Sequence, residues 1–174
     1  MEVTDDLTGL NAGNYRIERH LGEGAFADVY LGIHRAIDSR VAIKVLKPDL
    51  QGKMTERFVN EARVVNHINH PNIVKIFDFG SLPDERLYLI MEYLEGNDLN
   101  EMLRKNGKLR LDEMLFFLRQ IASALDATHE CEVVHQDLKP ASLFYPHLPA
   151  VCERFDGSSR VIAELEGQLD LIYY

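Results

Sequence analysis

The sequence predicts an α+β fold in which a small antiparallel β-sheet with one helix precedes a mainly helical segment. Five strand-like runs bounded by turn residues lie before residue 94, and two stretches have apolar residues at helical spacing. The order is three strands, a helix, two strands and then helices. With 174 residues, the chain is long enough for one domain or for two small lobes.

Three strands are predicted in the first part of the chain. Residues 15–22 and 28–33 are two strands joined by a glycine-bearing turn, and residues 40–46 form a short β-branched run typical of a third. Proline and glycine in residues 47–52 end this pattern. Residues 1–14 are polar and contain two glycines, and we expect them to form a flexible leader.

The first helix is predicted over Met54–Ile68, where apolar residues recur at helical spacing and Pro71 follows as a stop signal. Two further strand-like runs, residues 73–79 and 86–93, are separated by a turn that contains proline and acidic residues. This part of the chain therefore completes a sheet with one helix beside it.

Two helices are predicted in the next part of the chain. A short helix covers residues 99–105, and the clearest helix runs from Asp112 to about Glu130. We expect the core-facing stripe of the longer helix to consist of its regularly spaced apolar residues: Leu111, Leu115, Leu118, Ala122 and Leu125.

Composition and charge argue against several classes of protein. The formal net charge of −9 disfavours a nucleic-acid or anionic-membrane surface, because both need a basic face. The chain has no signal-peptide pattern and no apolar run near the ~18 residues of a membrane span, which predicts a soluble cytoplasmic segment. The two cysteines are far apart, and His67 and His70 lack the companions of a metal site, so neither a disulfide framework nor a metal is expected there.

A glycine-rich turn joins the first two strands, and it is the first feature with chemical meaning. Glycines let a backbone approach a polyphosphate closely and direct its amides at the oxygens, although an ordinary hairpin turn is the alternative. A dinucleotide-binding fingerprint is excluded because a strand, not a helix, follows. The turn reads Leu21-Gly22-Glu23-Gly24-Ala25-Phe26-Ala27-Asp28-Val29.

A lysine and a glutamate occupy positions where apolar residues are expected. Lys44 lies in a strand with no polar face, and a buried lysine is costly unless an anion meets it. Glu61 falls on the apolar stripe of the first helix, so the two side chains have reason to form an ion pair. The alternatives are that Lys44 extends to solvent and that Glu61 lies at the edge of its stripe.

These features, together with His135-Gln136-Asp137-Leu138-Lys139-Pro140, resemble the protein kinase family in order and spacing. The resemblance covers roughly residues 15–144. Residues 67–74 and 87–94 also resemble bacterial members of the eukaryotic-like serine/threonine kinases. It implies a protein-kinase-like fold, with an ATP-binding N-lobe over residues 15–94. An incomplete, mainly helical C-lobe over residues 95–144 would end in the catalytic loop.

The resemblance also implies a nucleotide site. The glycine-rich turn would cover the phosphates of ATP, and Lys44, paired with Glu61, would hold the α- and β-phosphates. The adenine and ribose would be contacted by Val29, Ala42, Met91, the backbone of Glu92 and Leu94, Asp98 and Phe144.

The catalytic loop implies that the γ-phosphate is transferred to a protein. Asp137 would accept the proton of the substrate hydroxyl, and Lys139 would lie beside the transferred phosphate. The Asp-Leu-Lys-Pro sequence of this loop points to serine or threonine as the acceptor. The implied ligands are therefore ATP and a protein substrate with a serine or threonine acceptor.

Three residues depart from the family pattern. Ala27 replaces the third glycine, which is a mild change. Gln136 replaces the arginine before the catalytic aspartate, which argues against control by an activation-loop phosphate. Ser142 stands where an asparagine would bind magnesium, and its shorter hydroxyl is a poorer ligand, so we expect a weakened second metal site.

No Asp-Phe-Gly metal motif follows the catalytic loop. Asp78-Phe79-Gly80 precedes that loop, at the end of a predicted strand, and is not the metal motif. Phe155-Asp156-Gly157 is a degenerate candidate at about the right distance, with an ordinary turn as the alternative. We therefore expect the magnesium site to be weak or absent.

Residues 145–174 do not resemble a kinase, and they are expected to be an atypical tail: a divergent segment, a truncation product or a shifted reading frame. Three interpretations stay open: a working serine/threonine kinase, a nucleotide-binding pseudokinase, and an inert fragment that acts as an interaction module. If the chain ends here, the apolar stripe of the last helix lacks partner surface and should bind something or aggregate.

Overall fold

The structure is a computed structural model, and it describes residues 6–48, 50, 52–135, 138–146 and 170–171. The chain divides into two compact units. The first unit comprises residues 1–67 and 75–93, and the second comprises residues 68–74 and 94–174.

The first unit contains one antiparallel sheet and one helix, which confirms the predicted α+β arrangement. Along the sheet, β5 occupies the edge beyond β6, and the other strands follow chain order as β1-β2-β3-β4-β6-β5. The strands are β1 (Asn11–Ala12), β2 (Tyr15–Glu23), β3 (Ala27–His34), β4 (Arg40–Leu46), β5 (Ile76–Ser81) and β6 (Leu87–Glu92).

Helix α1 (Lys53–Val65) covers part of one face of this sheet. It begins near the predicted position but ends before Ile68. Phe58 and Ala62 are buried on the predicted stripe and pack with Leu46 of β4 and Leu89 of β6. The helix therefore fixes one end of the sheet face on which Lys44 lies, because Lys44 and Leu46 are two residues apart on one strand.

The other face of the sheet holds the largest core cluster of the first unit. Its members come from five strands and two loops, so the cluster ties the whole sheet together. They are Leu7, Ala12, Ile17, Tyr30, Val41, Ile43, Val45, Leu82, Tyr88 and Ile90.

Part of the predicted flexible leader belongs to this core. Leu7 is 2% exposed and Ala12 is fully buried, and β1 pairs with β2 through Ala12 and Tyr15. The amide of Ile17 donates to the carbonyl of Leu10 at 2.9 Å, which fixes the same segment to β2. The expectation of a flexible leader is therefore corrected for residues 7–14, because Leu7 and Ala12 pack in the core cluster of the sheet.

The second unit contains two helices, α2 (Leu99–Asn106) and α3 (Leu111–Glu130), as the sequence predicts. A 3₁₀ helix over Pro140–Ser142 and a small sheet of three short strands were not predicted. These strands are β7 (Gly96–Asp98), β8 (Leu143–Pro146) and β9 (Asp170–Leu171), in the order β7-β8-β9.

Helix α3 buries a different face from the one predicted. Phe117, Ala124 and Thr128 are its buried residues, and the Phe117 ring meets the ring of Tyr145 edge-on at a centroid distance of 5.4 Å. Leu111 and Leu118 of the predicted stripe are instead 66% and 50% exposed. In the part of the chain that the structure describes, no helix has the length and apolar character needed to cross a membrane.

Candidate functional site

The glycine-rich turn between β2 and β3 is closed by backbone hydrogen bonds. The amide of Gly24 donates to the carbonyl of Ala27 at 2.8 Å, and the amide of Lys47 donates to the carbonyl of Phe26 at 3.0 Å. A Cβ atom on Gly24 would lie 2.8 Å from that same Ala27 oxygen, whereas one on Gly22 would meet nothing within 4 Å. Gly24 is thus needed to close the turn, and the backbone at Gly22 is open to an approaching group.

The acidic residues of this turn contact a lysine that the sequence analysis did not single out. Lys47, directly after β4, places its Nζ 2.6 Å from Oε1 of Glu23. This hydrogen bond and the lysine charge hold the pKa of Glu23 below its usual value of 4.5. The sequence signal that could have identified Lys47 is a basic residue directly after a strand in a chain whose glycine-rich turn carries acidic residues.

Lys44 is buried in β4, as its strand pattern predicts. It is 6% exposed and lies opposite Val29 of β3 and Leu89 of β6 in the sheet register. Its Nζ is 5.5 Å from the centre of the Phe58 ring on α1, a distance at which an ammonium interacts favourably with an aromatic face. Glu61 has its backbone in α1, three residues after Phe58, and its side chain lies outside what the structure describes.

Three residues predicted to contact adenine share the Lys44 face of the sheet. Ala42 lies opposite Met91 in the register of β4 and β6, and both are buried. Val29, on β3, is half-buried. At the end of β6, the amide of Glu92 donates to the carbonyl of Lys75 at 2.9 Å, so an adenine at Glu92 would have to use its carbonyl oxygen.

In the second unit, Asp98 and Phe144 are direct partners across the β7–β8 pair. Asp98 also begins α2, where its Oδ1 accepts a hydrogen bond of 2.7 Å from the amide of Glu101. One carboxylate oxygen therefore satisfies a helix terminus, which orients the group. Leu94 is half-buried in the same unit.

The catalytic-loop residues are described in part. His135 is buried and Lys139 is exposed, whereas Gln136 and Asp137 lie outside the described residues. Ser142 is fully buried. Its hydroxyl donates to the carbonyl of Lys139 at 2.8 Å and accepts from the amide of Lys139 at 3.1 Å.

The described residues do not supply a metal-ligand set. They contain no group of three or more histidine, cysteine, aspartate or glutamate residues placed to hold a metal ion. Asp78-Phe79-Gly80 lies within β5, where a Cβ on Gly80 would clash with the Tyr88 side chain. This glycine therefore has a packing role, and Asp156 of the degenerate candidate lies outside the described part of the chain.

Comparison with known proteins gives the class of protein to which this fold and turn correspond. The family described as Protein kinase domain matches residues 15–149. The kinase domain of Mycobacterium tuberculosis PknI has a crystal structure that matches 96% of this chain and 62% of its own, with a TM-score of 0.74 at 25% identity. A second crystal structure of that kinase domain matches 79% of this chain and 56% of its own, with a TM-score of 0.68 at 29% identity.

The chain belongs to the protein kinase domain family. Among its relatives, serine/threonine-protein kinase Pkn1 of Myxococcus xanthus is 43% identical over 146 residues, which are 83% of this chain and 21% of Pkn1. Serine/threonine-protein kinase PrkC of Bacillus subtilis is 39% identical over 139 residues, which are 79% of this chain and 21% of PrkC. The chain thus spans about a fifth of the length of these curated relatives.

Proposed function

We propose that this chain is the ATP-binding part of a protein kinase that transfers the γ-phosphate of ATP to serine or threonine of a protein. The observation that carries the proposal is Lys44, a buried lysine on the sheet face that also bears Val29, Ala42 and Met91. A cation inside an otherwise apolar surface is costly unless it serves an anion, and a nucleotide supplies both an apolar base and an anionic phosphate chain.

The proposed N-lobe, residues 15–94, binds and orients the nucleotide. Lys44 neutralises charge on the α- and β-phosphates, and Glu61 keeps the ammonium in place. The open backbone at Gly22 lets amides of the turn approach the phosphates. Ala42 and Met91, both buried on the same face, contact the base.

The proposed partial C-lobe, residues 95–144, supplies the groups for phosphoryl transfer. Asp137 accepts the proton of the substrate hydroxyl, and Lys139 stabilises the transferred phosphate. Asp98 contacts the ribose through the carboxylate oxygen that does not cap α2, and Phe144, its neighbour in the sheet, contacts the base. Cytoplasmic ATP as the substrate would place this part of the protein in the cytoplasm.

A second candidate function is a nucleotide-binding pseudokinase, and Ser142 favours it. Magnesium ions in kinases bridge phosphate oxygens and neutralise developing charge. Ser142 stands at the position of a metal-binding asparagine, but its buried hydroxyl both donates to and accepts from the Lys139 backbone. A hydroxyl so engaged is a poor fit for a metal ligand, so nucleotide binding without efficient transfer is the expected behaviour of this candidate.

The proposed site is tested with Lys44→Met, which removes the buried cation and keeps an unbranched apolar chain. We expect the variant to lose binding of a fluorescent ATP analogue while its circular dichroism stays that of the wild type. Lys75→Met is the matched control because Lys75 is an exposed lysine of the same unit. Unchanged nucleotide affinity in Lys44→Met would reject Lys44 as a nucleotide-binding residue.

The two candidate functions are separated with Asp137→Asn. A kinase transfers radiolabelled phosphate to a generic basic protein, and the variant loses this transfer because its amide accepts no proton from the substrate. A pseudokinase binds the nucleotide analogue and transfers nothing in either form. Equal transfer by the wild type and the variant points to a contaminating kinase.

A further inference from the structure

We propose that Lys47 is a positioning residue that holds the glycine-rich turn in its nucleotide-binding conformation by clasping Glu23 and Asp28. The inference rests on the proposed ATP-binding function and adds a second lysine to it, with a different role from that of Lys44.

The contacts of Lys47 reach both sides of the turn. Its Nζ lies 2.6 Å from Oε1 of Glu23 at the end of β2 and 3.8 Å from Oδ1 of Asp28 near the start of β3. Glu23 and Asp28 are themselves partners in the β2–β3 register. The Lys47 amide also donates to the carbonyl of Phe26 at the tip of the turn. One residue thus fixes two strands and the turn between them.

The sheet register separates the roles of the two lysines. Lys44 and Leu46 point to one face of β4, so Lys47, one residue further, extends toward the opposite side. Asp28 lies opposite Val45 in the register and shares that side. Since Lys44 defines the face proposed for the phosphates, Lys47 acts on the nucleotide through the turn and not by direct contact.

The environment of Asp28 gives a second reason why the Lys47 charge matters for the turn. Its Oδ1 is buried and accepts no hydrogen bond from the part of the chain that the structure describes. Nζ of Lys47 lies 3.8 Å from this oxygen and Nε2 of His20 lies 3.9 Å from it, and both distances exceed that of a hydrogen bond. A buried carboxylate oxygen is costly without a partner, so loss of the Lys47 charge would push Asp28 outward and loosen the turn.

The expected effect is modest because the clasp is partly in solvent. The Lys47 and Glu23 side chains are 29% and 69% exposed, and exposed ion pairs of this kind change an equilibrium by about two- to five-fold. A glutamate is ionised at neutral pH, and the hydrogen bond from Lys47 lowers the pKa of Glu23 further, so the carboxylate is charged as the pairing requires.

A double-mutant cycle on nucleotide affinity tests the clasp. Lys47→Met and Glu23→Gln are each expected to weaken binding of the fluorescent ATP analogue by about two- to five-fold, and the double variant by no more than either one. Lys47→Arg should retain wild-type affinity because it keeps the charge. A simple electrostatic effect predicts instead that Glu23→Gln tightens binding, since it removes a negative charge near the phosphates, and that result overturns the proposal.

Hydrogen exchange without nucleotide measures the clasp independently of the proposed function. The Gly24 and Lys47 amides are expected to exchange faster in Lys47→Met than in the wild type. Lys105→Met is the control, because it breaks an ion pair of 2.9 Å with Glu101 in α2. Unchanged exchange in Lys47→Met rejects the clasp, whereas faster exchange in a protein that binds no ATP analogue rejects the nucleotide site and leaves the clasp standing.

Discussion

Gly22 and Gly24 have different tasks although they stand two residues apart in one turn. At Gly24 the carbonyl of Ala27 occupies the space that a side chain would need, and the same carbonyl accepts the Gly24 amide. At Gly22 the space is open. The sequence marked both glycines as equivalent members of a phosphate-binding turn, and only the turn geometry separates a structural glycine from one that leaves room for a ligand.

This difference predicts opposite outcomes for two alanine substitutions. Gly24→Ala is expected to destabilise the protein by about 1–3 kcal/mol and to weaken nucleotide binding, because its Cβ meets a backbone oxygen that cannot move aside cheaply. Gly22→Ala should stay within about 1 kcal/mol of the wild type in stability. Urea unfolding measures the stability of both variants, and binding of the fluorescent ATP analogue measures their nucleotide affinity. Equal destabilisation by both alanines would contradict the turn geometry.

At the scale of the elements, α3 was predicted correctly as a helix, but the prediction of which face is buried was wrong. The helix carries apolar residues on more than one side, so spacing alone did not distinguish Leu111 and Leu118 from Phe117. Packing with Tyr145 of β8, a strand that the sequence analysis did not predict, selects the Phe117 side. The exposed apolar side is long, as four large residues show: Leu111, Met114, Leu115 and Leu118.

We expect substitutions on the two sides of α3 to differ in how much they lower the free energy of unfolding. Phe117→Ala should lower the free energy of unfolding by about 3 kcal/mol or more, because it removes a buried ring and its aromatic contact. Leu118→Ala, at a half-exposed position, should cost less than about 1 kcal/mol. Urea unfolding of both variants checks this, and a larger loss in Leu118→Ala would show that the exposed side is covered in solution.

At the scale of the whole molecule, the residues proposed to contact the nucleotide are distributed over both compact units. The first unit holds the glycine-rich turn, Lys44 and Met91, and the second holds Asp98 and Phe144. A ligand that binds only the folded state raises the melting temperature, and the shift grows with the ratio of ligand concentration to dissociation constant. Melting with ATP alone and with ATP and magnesium therefore tests the proposed site in the intact chain.

At an ATP concentration of about 100 times its dissociation constant, we expect stabilisation of roughly 2.7 kcal/mol, or about 5–10 °C in melting temperature. A shift that requires magnesium would identify a working metal site and favour the kinase. A shift without magnesium favours the pseudokinase. The absence of any shift in a cooperatively melting protein would remove nucleotide binding from both proposals.

The sequence by itself determined the features that depend on neighbouring residues. Alternation placed Lys44 inside an apolar strand, helical spacing placed Phe58 and Ala62 against the sheet, and turn residues separated β5 from β6. These properties follow from backbone geometry with a period of about 2 or 3.6 residues, so they can be predicted without knowledge of distant contacts.

Only the tertiary structure decided the features that need a partner far along the chain. Leu7 and Ala12 are buried because they pack in one core cluster with side chains of the sheet. Lys47 contacts Glu23 because β4 ends beside the glycine-rich turn. The Ser142 hydroxyl both donates to and accepts from the Lys139 backbone, a local arrangement that the sequence pattern alone did not predict. Short strands such as β7 and β8 carry too little pattern to be recognised alone, since two to four residues acquire their pairing from contacts that lie tens of residues apart.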